Sequence, residues 1–369
     1  MDSECRILRL QPELGAMFAD AMDILSLSMW RLSCKANYHQ VSSSFRRSLV
    51  KLLRPFLPSP HSFIDLTSKF NAVFGGEFAL TFILRDPTYL PSRVDVYVGI
   101  FGFEGFCEAF LDDPVVRDVI DTHVYVTVSP VDALRLLVTR TLSVHTLGGK
   151  TISIHCSHTV SATAPVCRAA CTALSNFVTS YSFGCSHPIL TLNRRALLAD
   201  LAFPHQPLFQ HDVFTHMLKH RFSLAVSPAA WPEYRELRAV IRRDADSPST
   251  LGGALGIVVD TEWDDSREIT QACWRHLYVC PAQGRYFGDR GSLIGFFDPL
   301  NGDETYCEAH DVAPFGQMVL WRVSSTFECN DACDFDDILE EGVTSIPVLI
   351  KKDPHGEIRD VISDRYMGF

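Results

Sequence analysis

No window of the 369 residues is apolar for long enough to cross a membrane, and no segment is repeated or of low complexity. The opening residues, Met1-Asp2-Ser3-Glu4-Cys5-Arg6, lack the basic run and unbroken apolar stretch of a secretory leader. An intracellular protein, cytoplasmic or nuclear and with no membrane partner, is expected. Basic clusters are missing too. Only the pairs Arg46-Arg47, Arg194-Arg195 and Arg242-Arg243 occur, in a chain with 33 basic and 44 acidic residues and a net charge of -11. Such a chain gains little from general attraction to phosphate, which disfavours a nucleic-acid partner. Paired CxxC knuckles are absent as well. The spacings nearest to a metal pattern are Cys167-x3-Cys171, Cys329-x3-Cys333 and His155-Cys156-Ser157-His158. None is a zinc signature, and most of the twelve cysteines read as buried, reduced thiols.

What is present describes a globular chain: 47% of residues are hydrophobic and 21% charged, and the length suits roughly two to three domains. Residues 5 to about 57 carry apolar residues at helical spacing, including Leu14, Phe18, Leu25, Leu32, Phe45, Leu49 and Leu53. Pro55, Pro58 and Pro60 stop that pattern. A helix over 63–70 then leads into a strand that ends at Gly75-Gly76. Further on, 94–98, 122–128 and 142–147 read as strands and 103–111 as a helix. Gly148-Gly149 predicts a hairpin into 150–155, pairing those two strands antiparallel. Val166, Ala170, Leu174 and Phe177 share one face of a helix expected over 165–179. Beyond residue 200 the expectations are helices over 209–222 and 233–242, short strands between 277 and 297, and solvated acidic residues over 331–341. The predicted class is α+β: a mixed sheet flanked by helices over 63–200, an N-terminal helical segment over 1–60, and a C-terminal α+β extension over 201–369 of unknown role.

Chemistry concentrates at Phe74-Gly75-Gly76-Glu77 and, one helix-length later, Ser92-Arg93-Val94-Asp95-Val96-Tyr97. Acids at i and i+2 of one strand point to the same face, and a third from a neighbouring strand completes a site for the divalent metals of phosphoryl transfer. A Gly-rich turn lets backbone approach a triphosphate. It is equally read as a strand-to-helix turn whose small residues permit close packing. Arg93 stands where the first acid would be, so its guanidinium is expected to pair with Asp95, lower that carboxyl's pKa and repel a dication. His155, His158 and His187, with no placed nucleophile, read as structural or surface residues.

The order helix, strand, Gly-Gly turn, helix, Asp-bearing strand resembles the nucleotidyltransferase-fold family, in particular its basidiomycete fungal branch. Gly75-Gly76 matches the family turn, Arg93-Val94-Asp95 its Asp-hydrophobic-Asp strand, and Ile152-Ser153-Ile154 the place of the third acid. The runs 171–179 and 187–195 are similar to that branch as well. The resemblance implies a vestigial nucleotide site at Gly75, Gly76, Arg93, Asp95 and Ser153, with Asp95 the one remaining metal-binding acid. Because Arg93 and Ser153 replace two acids, it implies a pseudoenzyme that binds a nucleotide or partner without turnover. An active enzyme would need magnesium, held by Asp95 with acids such as Glu77 or Glu104. Separately, Leu10-Gln11-Pro12-Glu13-Leu14, Asp23-Ile24-Leu25-Ser26-Leu27-Ser28 and Arg31-Leu32-Ser33-Cys34-Lys35 are similar to an F-box. That implies a protein partner for the N-terminal helices, the adaptor of a cullin-type ubiquitin ligase. The alternative is that the same apolar stripe packs on its own domain.

Overall fold

The computed structural model describes residues 12–199, 208–234, 274–281, 283–289, 291–297, 318–321, 348–352 and 358–360. The expectations for 5–11, among them Leu10 and Gln11 of the F-box-like run, for 235–242 and 331–341, and for Cys329 and Cys333, lie outside the described residues. The N-terminal apolar periodicity resolves into α1 (Pro12–Ala21), α2 (Ile24–Arg31) and α3 (Lys35–Leu53). Asp23 opens α2 by accepting from the Ser26 backbone N–H at 2.9 Å, which satisfies a donor the helix cannot. Along α3, Val41, Phe45, Leu49 and Leu53 recur every fourth residue and all are buried, so one stripe meets the core. Pro60 is the first residue of α4 (Pro60–Lys69), where its missing N–H would have had no partner anyway.

Helix and strand then alternate through β1 (Val73–Gly75), α5 (Gly76–Leu84), β2 (Arg93–Val98), α6 (Phe103–Asp112), the single turn α7 (Pro114–Arg117), β3 (Ile120–Thr127), α8 (Pro130–Leu136), β4 (Val138–Thr146) and β5 (Thr151–Ser157). They continue as β6 (Asn176–Val178), β7 (Ser182–Cys185), α9 (Pro188–Leu192), β8 (Arg195–Leu197), α10 (Leu208–Lys219), β9 (Ser223–Ala225), β10 (Arg285–Tyr286), β11 (Leu293–Phe296), β12 (Met318–Trp321), β13 (Val348–Lys352) and β14 (Ile358–Asp360).

The protein is α+β, built on a mixed eight-stranded sheet of order β11-β7-β6-β1-β2-β5-β4-β3. Its neighbours are antiparallel except β2 and β5, which run parallel. A four-stranded sheet, β10-β12-β13-β14, and the pair β8-β9 complete the described strands. The hairpin at Gly148-Gly149 is as expected: β4 and β5 pair antiparallel, with Gly149 at a φ of +71°.

Alternation decides the two faces of the large sheet. Val94, Val96 and Val98 of β2 and Ile152, Ile154 and Cys156 of β5 are fully buried in one core with Phe103, Phe106 and Phe110 of α6. Residues of α1 to α4 enter the same core, among them Ala19, Leu27, Phe45 and Phe63. Its centre is aromatic: Phe45 and Phe183 meet edge to face at 5.0 Å, and Phe74 and Phe78 lie 5.1 Å apart. Among the described residues no helix is long and apolar enough to cross a membrane.

Two expectations change. Residues 165–179 do not form a helix; they hold two short 3-10 turns, Pro165–Arg168 and Thr172–Leu174, and then strand β6. The small apolar residues of this stretch are buried on all sides, so their helical spacing reflects a dry environment and not one face. Their backbone groups find partners elsewhere: the Ala199 N–H donates to the Ala170 carbonyl at 2.9 Å. The sheet also reaches beyond 63–200, because β11 pairs with β7 along Leu293 to Phe296. Buried Arg285 secures that segment, donating to the Ser186 carbonyl at 2.6 Å, the Tyr278 carbonyl at 2.7 Å and the Asp289 carboxylate.

Candidate functional site

The polar face of the large sheet carries the conspicuous residues, and parallel pairing of β2 with β5 brings them together. Asp95 stands in register with Ser153 of β5 on one side and with Gly75 of β1 on the other, and Ser153 is opposite Ser143 of β4. Arg93 and Tyr97, two residues either way from Asp95, share its face, as does His155, two residues beyond Ser153.

The two glycines serve this face in different ways. A Cβ at Gly75 would lie 2.6 Å from Cε2 of Tyr97, so the absent side chain leaves room for the ring. Gly76 opens α5 with a φ of +57°, and a Cβ there would lie 2.7 Å from Asp95 Oδ2. Turn conformation and close approach to a buried carboxylate both require glycine at position 76.

Asp95 is 1% exposed. Arg93 Nε donates to its Oδ2 at 3.0 Å, and His155 Nε2 lies 3.2 Å from its Oδ1. Burial alone would raise the Asp95 carboxyl, but the Arg93 guanidinium and the His155 ring outweigh it and hold the group below the usual carboxylate range. In return, the Asp95 charge pushes the Arg93 guanidinium up. An ionised carboxylate only accepts, so His155 Nε2 carries the proton of that contact. His155 Nδ1 lies 2.9 Å from Thr141 Oγ1, and its ring stacks on Tyr97 at 4.8 Å. The result is a linked row, Thr141, His155, Asp95 and Arg93, crossing β4, β5 and β2.

Glu77 and Glu104, the other acids considered for a metal, are committed elsewhere. Glu77 is 1% exposed on α5. Its Oε2 accepts from the Ser92 N–H at 2.9 Å and the Ser92 hydroxyl at 2.6 Å, and its Oε1 bonds His216 Nδ1 of α10. Glu104 pairs with Arg140 and lies on α6, whose buried residues join the core on the opposite, apolar face of the sheet. A magnesium ion needs several oxygen ligands in near-octahedral array. Here one carboxylate stands on the face with both oxygens engaged, one of them by a fixed cation. These residues do not fit magnesium. Among the described residues no group of three or more His, Cys, Asp or Glu is placed to hold any metal.

No protein-family model, curated protein or solved structure matches this chain. What the site offers follows from its own geometry: a polar face on which the buried Asp95 carboxylate is bonded by the partly exposed Arg93 and His155.

The remaining candidates are structural. His187 is buried, with Nδ1 2.8 Å from Ser186 Oγ, and burial followed by the nearby Arg285 charge drives its pKa well down. Cys167 and Cys171 are buried thiols whose pKa values are raised by that burial, Cys171 to about 12. Two functional-looking contacts escaped the reading of the sequence. His155 follows from alternation along β5, since it shares a face with Ser153, but only once β5 is known to lie beside β2. The Glu77 contact with His216 spans 139 positions of sequence and left no local signal.

Proposed function

We propose that this protein is a catalytically degenerate nucleotidyltransferase-like protein that acts by binding a nucleotide or a partner and not by turnover. The observation that carries this reading is the state of Asp95: the single acid of the Arg93-Val94-Asp95 strand is paired with the Arg93 cation and bonded on its other oxygen by His155. The register of Gly75, Asp95 and Ser153 across β1, β2 and β5 supports the likeness, since it gathers the glycine turn and the positions of the acids on one face. With a serine and an arginine at two of those positions, nothing is left to hold two cations against a triphosphate. The test is calorimetric titration with each nucleoside triphosphate, with and without magnesium, on the parent and on Asp95→Ala. Any heat of binding should be the same with and without magnesium. Magnesium-dependent binding that Asp95→Ala abolishes would overturn the reading and restore an active transferase.

A second reading is favoured by the N-terminal helices, where Leu14, Met17, Phe18, Leu25, Met29 and Leu32 are all exposed, Leu32 at 78%. An apolar helical surface of this kind suits a helix-binding partner, and the F-box reading makes that partner the adaptor of a ubiquitin ligase, with the chain as a substrate receptor. Titration with purified adaptor separates the two: binding that Leu25→Glu and Leu32→Glu abolish supports a receptor, and no binding by the parent removes it.

A further inference from the structure

Among the described residues, strand β3 is one edge of the eight-stranded sheet, bonded on one side only, to β4. Its eight residues extend about 27 Å, and from Asp121 to Thr127 every one is exposed. Val124, Tyr125 and Val126 are each at least half exposed, and among the described residues no backbone bond is made to the outer side of the strand. Edges of this kind are ordinarily guarded by lysine, proline or a bulge in mid-strand. The run Thr122-His123-Val124-Tyr125-Val126-Thr127-Val128 has no proline and no acidic or basic residue apart from its histidine, and its one register shift lies before Thr122. Further apolar surface flanks both ends. Leu147, 69% exposed, donates its N–H to the Val119 carbonyl just before β3, and Leu134, 59% exposed, lies on α8 just after it.

We propose that β3 is the docking edge for a second copy of this chain, two β3 strands pairing antiparallel about a twofold axis to continue the sheet from one protomer into the next. Three features select this occupant. Alternate residues of an edge strand offer an N–H and a carbonyl outward, and an antiparallel copy of the same strand satisfies both sets. The absence of fixed charge from Thr122 to Val128 means that self-pairing opposes no like charges. About Tyr125 the strand is nearly symmetric in chemistry, with Val124 and Val126 on either side and His123 and Thr127 beyond, so a reversed copy sets β-branched residues against each other. Pairing edge β3 with edge β3 also closes at two copies, whereas β3 on β11 of the next molecule would run on as an open polymer. The proposal is independent of any ligand of the Asp95 face.

Sedimentation equilibrium of the full chain, from about 1 to about 100 μM, brackets the micromolar affinity of a modest interface. The expected result is a monomer-dimer equilibrium. Val124→Lys and Val126→Lys, at exposed sites where the fold tolerates lysine, should each weaken it at least about tenfold by breaking both Val124–Val126 pairs and setting two lysines diagonally about the axis. Ile189→Lys serves as the control: Ile189 is exposed on α9, which follows β7 beside β11 at the far edge of the sheet. It should leave the equilibrium unchanged. Hydrogen exchange at alternate β3 amides should slow as concentration rises. A parent that stays monomeric throughout, assembly that continues past two copies, dissociation by Ile189→Lys, or β3 exchange indifferent to concentration would each overturn the proposal.

Discussion

Gly76→Ala probes the turn beside Asp95 most directly, because one added methyl meets two separate penalties. The backbone there has a φ of +57°, and holding an L-residue in that region costs about 1–2 kcal/mol. Alanine recovers about 0.4–1 kcal/mol by having fewer unfolded conformations to lose. The second penalty is contact: the new Cβ would stand 2.7 Å from Asp95 Oδ2, the same oxygen that accepts from Arg93 Nε at 3.0 Å. Making room therefore lengthens a charge-assisted bond, worth about 1.5–3 kcal/mol when fully dry. The Arg93 side chain is 24% exposed, and solvent moves the figure toward the lower end of that range. A net loss of about 2–3 kcal/mol is expected. Gly149 is the matched control, with a φ of +71° and nothing within 4 Å of a Cβ, so Gly149→Ala should cost about 1 kcal/mol. Urea unfolding followed by circular dichroism reads both, provided the slope m is shared. Removing the carboxylate should release the contact, so in an Asp95→Ala background the cost of Gly76→Ala should fall to that of Gly149→Ala. Equal costs for the two glycine variants in the parent, or an unchanged cost for Gly76→Ala without Asp95, would refute the reasoning.

Acid should act through the same carboxyl. Asp95 is held below its ordinary range when folded, so its contribution is fully present above the unfolded value of about 4 and is lost as pH falls through the lower folded value. Asp20, Asp23 and Asp86 shift in the same direction, so Asp95→Asn should flatten the fall in urea midpoint below about pH 4 without removing it. A fall as steep as the parent's would be inconsistent with a lowered Asp95. At the second buried acid, Glu77→Gln keeps the shape but weakens the link to His216, and a loss of about 1–3 kcal/mol is expected. Hydrogen exchange should then quicken along α10 while β2 and β5 keep their protection. Uniform quickening across all elements would mean that Glu77 does not act as the local tie of α10.

The stop of the helical pattern at the prolines, the strand around Asp95 and the hairpin at Gly148-Gly149 were legible because each rests on a local rule: a missing N–H, a period of two, a glycine where φ turns positive. The same local alternation sufficed to set Arg93 and Asp95 on one face and to predict their pairing, which the 3.0 Å contact bears out. What periodicity could not supply was the neighbour of each strand. That Ser153 lies beside Asp95, and so brings His155 to its second oxygen, depends on β5 pairing in parallel with β2, a contact that joins Asp95 to a residue 60 positions away. That Val166, Ala170 and Phe177 lie in turns and a strand, and that Leu293 to Phe296 complete the sheet, depends likewise on what packs around them. The physical division is one of range. The sequence by itself determined which residues could stand on the same face, because side-chain direction is a property of one strand or helix. Only the tertiary structure decided which faces meet, because register and burial belong to pairs of distant segments, and that decision is what brought His155 to Asp95 and took the carboxylate out of water.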